Sequence, residues 1–168
     1  MSNLRPGQNR QGGARRRAPN TQHREDVTHA KAPAGALVCP DCGLVHHAGR
    51  WYEGAPPLTD VASGRCPACE RVQAEDPAGI LSLPAALIGD RAELERSLRN
   101  AASAEATEHP LERLMDLRED ADGALVVTTT GIHLARRLAN LIERQVHRQA
   151  RFDFVDGVEL LRVDWPEE

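Results

Sequence analysis

The chain has 168 residues, of which 40% are hydrophobic and 3% aromatic, enough for one ordinary domain or a small domain with a stapled module. So few aromatic residues argue against an RNA-binding platform built on many stacked rings. No stretch approaches the roughly 18 apolar residues of a membrane-spanning helix, and the N-terminus lacks the apolar core of a secretory signal. We therefore expect a cytoplasmic protein that has no membrane partner.

The charge is unevenly distributed along the chain. Residues 1–31 carry a net charge of +5, whereas residues 32–168 carry −9. Arginine accounts for 20 of the 21 basic residues, and its planar fork matches phosphate oxygens. Such an arm is typical of anion-binding tails, although a biased composition that only solubilises the protein would look the same. Residues 1–33 have almost nothing to bury, so we predict a disordered basic arm.

Residues 34–78 contain all four cysteines and five prolines. This composition predicts a loop-rich segment held by a metal or a disulfide, not a helical domain.

Residues 79–168 are predicted to form a compact α+β domain. A short strand at residues 79–83 precedes a helix that Asp90 caps, with Glu93 at the capping-box spacing. A hairpin is expected at residues 113–119 and 124–129, although Leu111, Leu114 and Met115 near its first arm also fit a helical turn. A helix is expected from about residue 131 to 148. A second hairpin turns at Asp156-Gly157. The predicted order β-α-β-β-α-β-β corresponds to a split-βαβ-like domain.

The strongest motif is a pair of CxxC knuckles separated by 23 residues, formed by Cys39, Cys42, Cys66 and Cys69. Two thiolates three positions apart can bind one ion, and a second knuckle completes a closed tetrahedral shell. Such a site is structural. We expect one structural Zn²⁺ in an N-terminal four-cysteine zinc ribbon, with iron or disulfides as alternatives. Gly43 suits the turn after the first knuckle, whereas Glu70 makes the second less regular.

Aromatic and histidine residues lie close to the knuckles in sequence. His46 and His47 are expected to be exposed or packing residues, because four cysteines already complete a shell. Trp51 and Tyr52 are interpreted as a small hydrophobic plug, with a stacking surface beside Arg50 as the alternative.

The second predicted helix begins after three consecutive threonines. Its first N–H groups could bind a phosphate, but an ordinary N-cap by Thr130 is the favoured interpretation. We find no pairing of a nucleophile with a base and no Walker glycine loop, so we expect neither an enzyme nor a small-molecule substrate.

Eight short motifs occur together in this chain. They are Val38 to Gly43, Gly49 to Trp51, Cys66 to Cys69, Pro77 to Gly79, His109 to Arg113, Thr128 to Thr130, His133 to Arg137 and Leu161 to Trp165. Their order resembles an uncharacterised family of small bacterial double-CxxC proteins, some from low-oxygen or stress loci. Asp90-Arg91 departs from the His-Arg pair expected of that family.

That family in turn resembles, more weakly, the Nmd-type adaptor that binds the large ribosomal subunit during export or maturation. The resemblance lies in the paired knuckles and in the strand–helix–hairpin unit near residues 124–165. It implies ribosome or RNA binding without catalysis.

Two functional hypotheses follow from these features. In the first, a stress-related zinc-ribbon protein binds RNA or the ribosome, with phosphates or bases contacted by Arg15, Arg16, Arg17, Arg50, Trp51, Arg136 and Arg137. In the second, the ribbon is a protein-interaction adaptor, such as a stress or transcription cofactor, that touches no nucleic acid. The acidic body favours the second hypothesis. A metal or redox sensor with labile cysteines is a third class.

Overall fold

A computed structural model describes residues 35–57 and 59–166 of the chain. The predicted basic arm, including Arg15, Arg16 and Arg17, lies outside these residues. The described residues group into a single compact unit. Within the described residues, no helix is long and apolar enough to cross a membrane.

A small four-stranded sheet occupies the cysteine-containing segment. Its strands are β1 (Ala36–Val38), β2 (Val45–His47), β3 (Arg50–Tyr52) and β4 (Val61–Ser63). They lie in the order β3-β2-β1-β4. Strand β1 is antiparallel to β2 but parallel to β4, with Ala36 opposite Val61. The carboxyl ends of β1 and β4 therefore meet at one edge of the sheet, where the two knuckles begin.

A helix that the sequence analysis did not anticipate follows the small sheet. Helix α1 (Pro67–Ala74) lies in the segment predicted to be loop-rich. Cys66 is its N-cap and Pro67 occupies the first turn, where a missing N–H costs nothing. Glu75 ends the helix in the left-handed conformation, with φ of 51°.

A five-stranded sheet and two long helices form the rest of the described chain. Their bounds are β5 (Gly79–Leu83), α2 (Arg91–Glu108), β6 (Leu114–Glu119), β7 (Leu125–Thr129), α3 (Ile132–Val146), β8 (Arg151–Phe154) and β9 (Leu161–Asp164). The sheet order is β6-β7-β5-β9-β8, with β5 antiparallel to β7 and parallel to β9. The α+β class is thereby confirmed.

The main core lies between one face of this sheet and the two helices. Alternate residues of β5 and β7 are buried, as expected for strands covered on one face. Helix α3 contributes Leu134, Leu138 and Ile142, which recur along one side of the helix and are fully buried. Leu98 of α2 completes the contact between the helices. This packing fixes α3 on the sheet with its opposite side facing solvent.

The two long helices begin differently. The Asp90 carboxylate accepts a 2.9 Å hydrogen bond from the Glu93 N–H, which confirms the predicted cap of α2. The predicted cap of α3 is wrong, because Gly131 is the N-cap and offers no side chain. Instead, Glu112 accepts a 2.9 Å hydrogen bond from the Leu134 N–H. A carboxylate thus occupies the place considered for a phosphate, and Thr130 donates its hydroxyl to the Leu111 carbonyl.

Removing a core side chain from α3 tests this packing. Leu138→Ala is expected to lower the free energy of unfolding by about 2–5 kcal/mol, because it leaves a cavity in a fully buried site. Leu141→Ala is the matched control, since Leu141 is only partly buried against the same core. Urea denaturation of both variants measures the difference. Equal losses would contradict the burial described here.

Candidate metal centre

The four cysteine sulfurs converge on one point. Their ligand atoms all lie within 4.8 Å of one another, and Cys42 Sγ lies 3.6 Å from Cys66 Sγ. Four sulfurs arranged tetrahedrally around one ion at about 2.3 Å would be separated by about 3.8 Å. The cysteines are free thiols that form no disulfide. The donor set and its spacing therefore fit one bound metal ion.

The first knuckle is a tight turn directly after β1. Its geometry is fixed by two backbone bonds, from the Gly43 N–H to the Cys39 carbonyl at 2.9 Å and from the Cys39 N–H to the Leu44 carbonyl at 2.8 Å. Gly43 has a φ of +76°, which residues with a Cβ rarely adopt. The glycine after the second sulfur is therefore required by the turn.

The second knuckle is the first turn of a helix. The Cys66 sulfur caps α1 by accepting a hydrogen bond from the Cys69 N–H at 3.4 Å. The Cys66 N–H in turn points at Cys39 Sγ, at 3.3 Å, so each knuckle contributes to the shell of the other. Glu70 lies inside α1, where no left-handed residue is needed. The missing glycine at this position is therefore no irregularity.

Burial and backbone hydrogen bonds shift the pKa values of three of the cysteine thiols. Burial raises the pKa of Cys66 and of Cys69. Burial also acts to raise the pKa of Cys39, but backbone N–H groups, first that of Cys66, outweigh it and lower that pKa to about 6. The cluster is thus built to hold negative charge at Cys39, while the more buried Cys66 needs a cation beside it to ionise.

A residue from the larger α+β region completes the surroundings of the cluster. Arg113 donates a hydrogen bond to Cys42 Sγ at 3.3 Å and another to Cys69 Sγ at 3.6 Å. Burial lowers its pKa, but the hydrogen bond to Cys42 outweighs this, and the pKa lies above the ordinary value. The sequence analysis noted the motif His109 to Arg113 but assigned Arg113 no role. Arg113 lies 44 positions from Cys69 and 71 from Cys42, so only the folded chain places it beside these sulfurs.

Residues near the first knuckle do not join the sulfur cluster. Trp51 is partly buried against the cluster that contains Cys39 and Cys66, in keeping with a hydrophobic plug. The His46 ring is tilted against Trp51, with centroids 5.1 Å apart. Arg50 is exposed at the start of the edge strand β3. The structure therefore separates Arg50, which faces solvent, from Trp51, which packs inward.

The other predicted phosphate contacts lie on the solvent side of α3. The Arg136 guanidinium is 5.0 Å from the centre of the Phe154 ring, within cation–π range. Arg137 forms an ion pair with Glu105 of α2. Neither residue contacts the four cysteines, so within the described chain these two arginines lie apart from the sulfur cluster.

No protein-family model, curated protein or solved structure matches this chain. The resemblances drawn from the eight short motifs therefore remain predictions, and the site is interpreted from its own chemistry.

Metal titration tests the centre directly. The purified chain is expected to bind one Co²⁺ with the intense thiolate-to-metal absorption of a tetrahedral four-thiolate site, because all four sulfurs share one point. Cys39→Ser should weaken binding strongly. His46→Asn is the control and should leave the stoichiometry and spectrum unchanged, since His46 is outside the cluster. Full metal binding by the Cys39 variant would contradict the assignment.

Proposed function

We propose that this chain is a non-enzymatic zinc protein that binds structured RNA, with the ribosome as the candidate partner. The zinc centre would be structural, and the solvent side of α3 would contact phosphates. The observation that carries the RNA proposal is a groove on α3 that is lined by three arginines and no acidic residue, on a body of net negative charge.

Zinc is the metal that the donor set supports best. Four thiolates and no open position are typical of structural zinc, whereas a catalytic site keeps a position for water. The small sheet has little else to hold it, since its buried cluster consists of Cys39, Leu44, Cys66 and Ala68. A binding free energy of roughly 10 kcal/mol or more would offset the ordering of this segment. We therefore interpret residues 34–78 as a zinc ribbon.

The larger sheet supports the split-βαβ interpretation. Strands β5 and β7 are antiparallel, and β6 is antiparallel to β7. Strand β6 therefore runs parallel to β5 with β7 between them, which is the arrangement that the term describes. The hairpin β8–β9 is added on the other side of β5, where β9 pairs parallel to it.

The basic surface consists of five side chains along the exposed side of α3. These residues, which we call the α3 ridge, line one open groove: His133, Arg136, Arg137, Asn140 and Arg144. The ridge contains no acidic residue, whereas residues 32–168 as a whole carry a net charge of −9. This separation of charge matches a polyanion and would orient the protein on it.

Neighbouring elements hold two of these arginines in place. Glu105, whose side chain is 9% exposed, pairs with Arg137 and neutralises part of its charge. Arg136 lies over the Phe154 ring of β8. We therefore assign the main phosphate contacts to Arg136 and Arg144. Restricting an arginine before binding reduces the entropy lost on binding.

The opposite face of the larger sheet is a poorer candidate. Strands β5, β6, β7 and β9 contain no aromatic residue on which a base could stack. Two of the arginines on this face pair with aspartates, as in Arg118–Asp116 and Arg151–Asp164. This supports the helical side as the RNA-binding side.

One observation favours the adaptor hypothesis as a second candidate. Strand β8 is an edge of the sheet, and its Phe152 and Phe154 side chains are 38% and 48% exposed. An exposed edge strand can pair with a strand of another protein, and the two rings would supply apolar contacts. In this case β8, not the α3 ridge, would be the binding element.

Salt dependence tests the RNA proposal. Binding of a structured ribosomal RNA fragment should weaken steeply with salt, because phosphate contacts release counterions. Arg136→Gln with Arg144→Gln should weaken binding and reduce the slope of log affinity against log salt by about two. Arg118→Gln with Arg162→Gln removes the same charge from the opposite sheet face and should change neither. Equal effects of the two double variants would argue against the ridge.

Sedimentation separates the two candidate functions in cells. The full chain is expected to migrate with a ribosomal subunit at low salt, and deletion of residues 1–33 should weaken this by removing an arm of net charge +5 across residues 1–31. The ridge variant should abolish co-migration, and Phe152→Ser, which leaves the contact between Arg136 and Phe154 in place, should leave it intact. If the full chain stays at the top of the gradient, the ribosome proposal fails. Loss of co-migration only in the phenylalanine variant would favour the adaptor.

A further inference from the structure

Residues 110–113 lie between α2 and β6 and contact the metal centre. Leu111 packs against the buried cluster that contains Cys39 and Cys66. Arg113 donates to Cys42 Sγ and Cys69 Sγ, one sulfur from each knuckle. Its Nε also donates a 2.7 Å hydrogen bond to the Pro110 carbonyl, which fixes the direction of the guanidinium. We call residues 110–113 the bridging segment.

The same segment is fastened to the beginning of α3. Glu112 accepts a hydrogen bond from the Leu134 N–H in the first turn of that helix. Thr130, directly before the Gly131 N-cap, accepts a 2.8 Å hydrogen bond from the Arg113 N–H. The Thr130 backbone N–H donates a 2.9 Å hydrogen bond to the Arg113 carbonyl. The bridging segment therefore contacts the sulfurs on one side and the start of α3 on the other.

The Glu112 side chain fits closely against the start of α3 and leaves no room for a side chain at the N-cap. A Cβ added to Gly131 would overlap the Glu112 carboxylate. The carboxylate therefore lies directly against the backbone of the N-cap, in the position where the helix dipole favours a negative charge. If the bridging segment moved, the first turn of α3 would lose this partner.

Charge explains why Arg113 belongs beside the sulfurs. Four thiolates and one divalent cation leave a net charge of −2, which a guanidinium at two of the sulfurs compensates. Residues that hydrogen-bond to metal ligands typically change metal affinity 10–100-fold. The metal in turn keeps the two acceptor sulfurs close enough together for one guanidinium to reach both.

We propose that Arg113 is a positioning residue that couples metal binding to the order of the first turn of α3. Metal binding gathers the sulfurs, the sulfurs hold Arg113, and the bridging segment then places Glu112 at the helix start. The α3 ridge begins in this turn, at His133. This inference rests on the proposed metal centre and adds that the metal controls the binding surface as well as the ribbon.

Metal titration and hydrogen exchange of the full chain test the coupling. Arg113→Met should weaken Co²⁺ binding by about 10–100-fold. Arg113→Lys should recover only part of the affinity, since its ammonium keeps the charge but lacks the planar fork that bonds both sulfurs and the Pro110 carbonyl. Arg65→Met is the matched control, because Arg65 lies beside the knuckles but pairs with Asp41 and Gln73. It should bind Co²⁺ nearly as the native chain does.

Amide exchange in residues 131–137 provides the second measurement. In the native chain, removing the metal with a chelator should speed exchange at Leu134. In Arg113→Met this amide should exchange fast even at saturating metal, so that chelation adds little. Glu112→Ala should also speed exchange at Leu134 while still binding Co²⁺ through the four thiolates, which covers the case in which the Arg113 variant fails to fold.

The outcomes distinguish the coupling from the metal centre itself. Native metal affinity in Arg113→Met, with a native response of Leu134 to chelation, would overturn the coupling and leave the metal centre standing. If Arg113→Met does not fold, a native response in Glu112→Ala would overturn it. Failure of the native chain to bind Co²⁺ through thiolates would overturn both.

Discussion

The convergence of four cysteine sulfurs within 4.8 Å of one another is the constraint on which the rest of this structure depends. The two knuckles are 23 residues apart in the sequence, and a metal can join them only if the chain returns to the same point. The parallel pairing of β1 with β4 provides that return, because parallel strands end at the same edge. Since this region buries few side chains, the parallel pairing of β1 with β4 and the sulfur cluster are what bring its two knuckles together.

The two knuckles solve the same problem with different backbone structures. The first uses a glycine with positive φ, and the second uses the free N–H groups of a helix end. The helix end points its N–H groups at sulfur, and partial positive charge there favours thiolates. A helix at the second knuckle also explains why Glu70 is acceptable at the position that Gly43 occupies in the first knuckle.

Arg113 gives the metal centre a connection to the larger sheet. Apart from Arg113, the cysteine-containing segment is joined to the larger sheet by the packing of Leu111 against the buried cluster and by the Arg71–Glu159 ion pair. With Arg113, the ligands, the bridging segment and the start of α3 form one series of contacts. The α3 ridge begins in the turn that the bridging segment contacts. Helix α3 is therefore the element through which a metal at the cysteines could influence the proposed binding surface.

Features that depend on the local spacing of residues could be predicted from the sequence. The CxxC pairs predicted the four ligands, Asp90 with Glu93 predicted a capped helix, and the apolar spacing from Ile132 to Val146 predicted α3, because these signals act within a few residues. Tertiary structure alone decided that Glu112 caps α3, that Arg113 bonds two cysteines and that Arg137 pairs with Glu105. Each of these contacts joins residues at least 22 positions apart. Such partners are chosen by how the sheet and helices pack, and no local pattern records that choice.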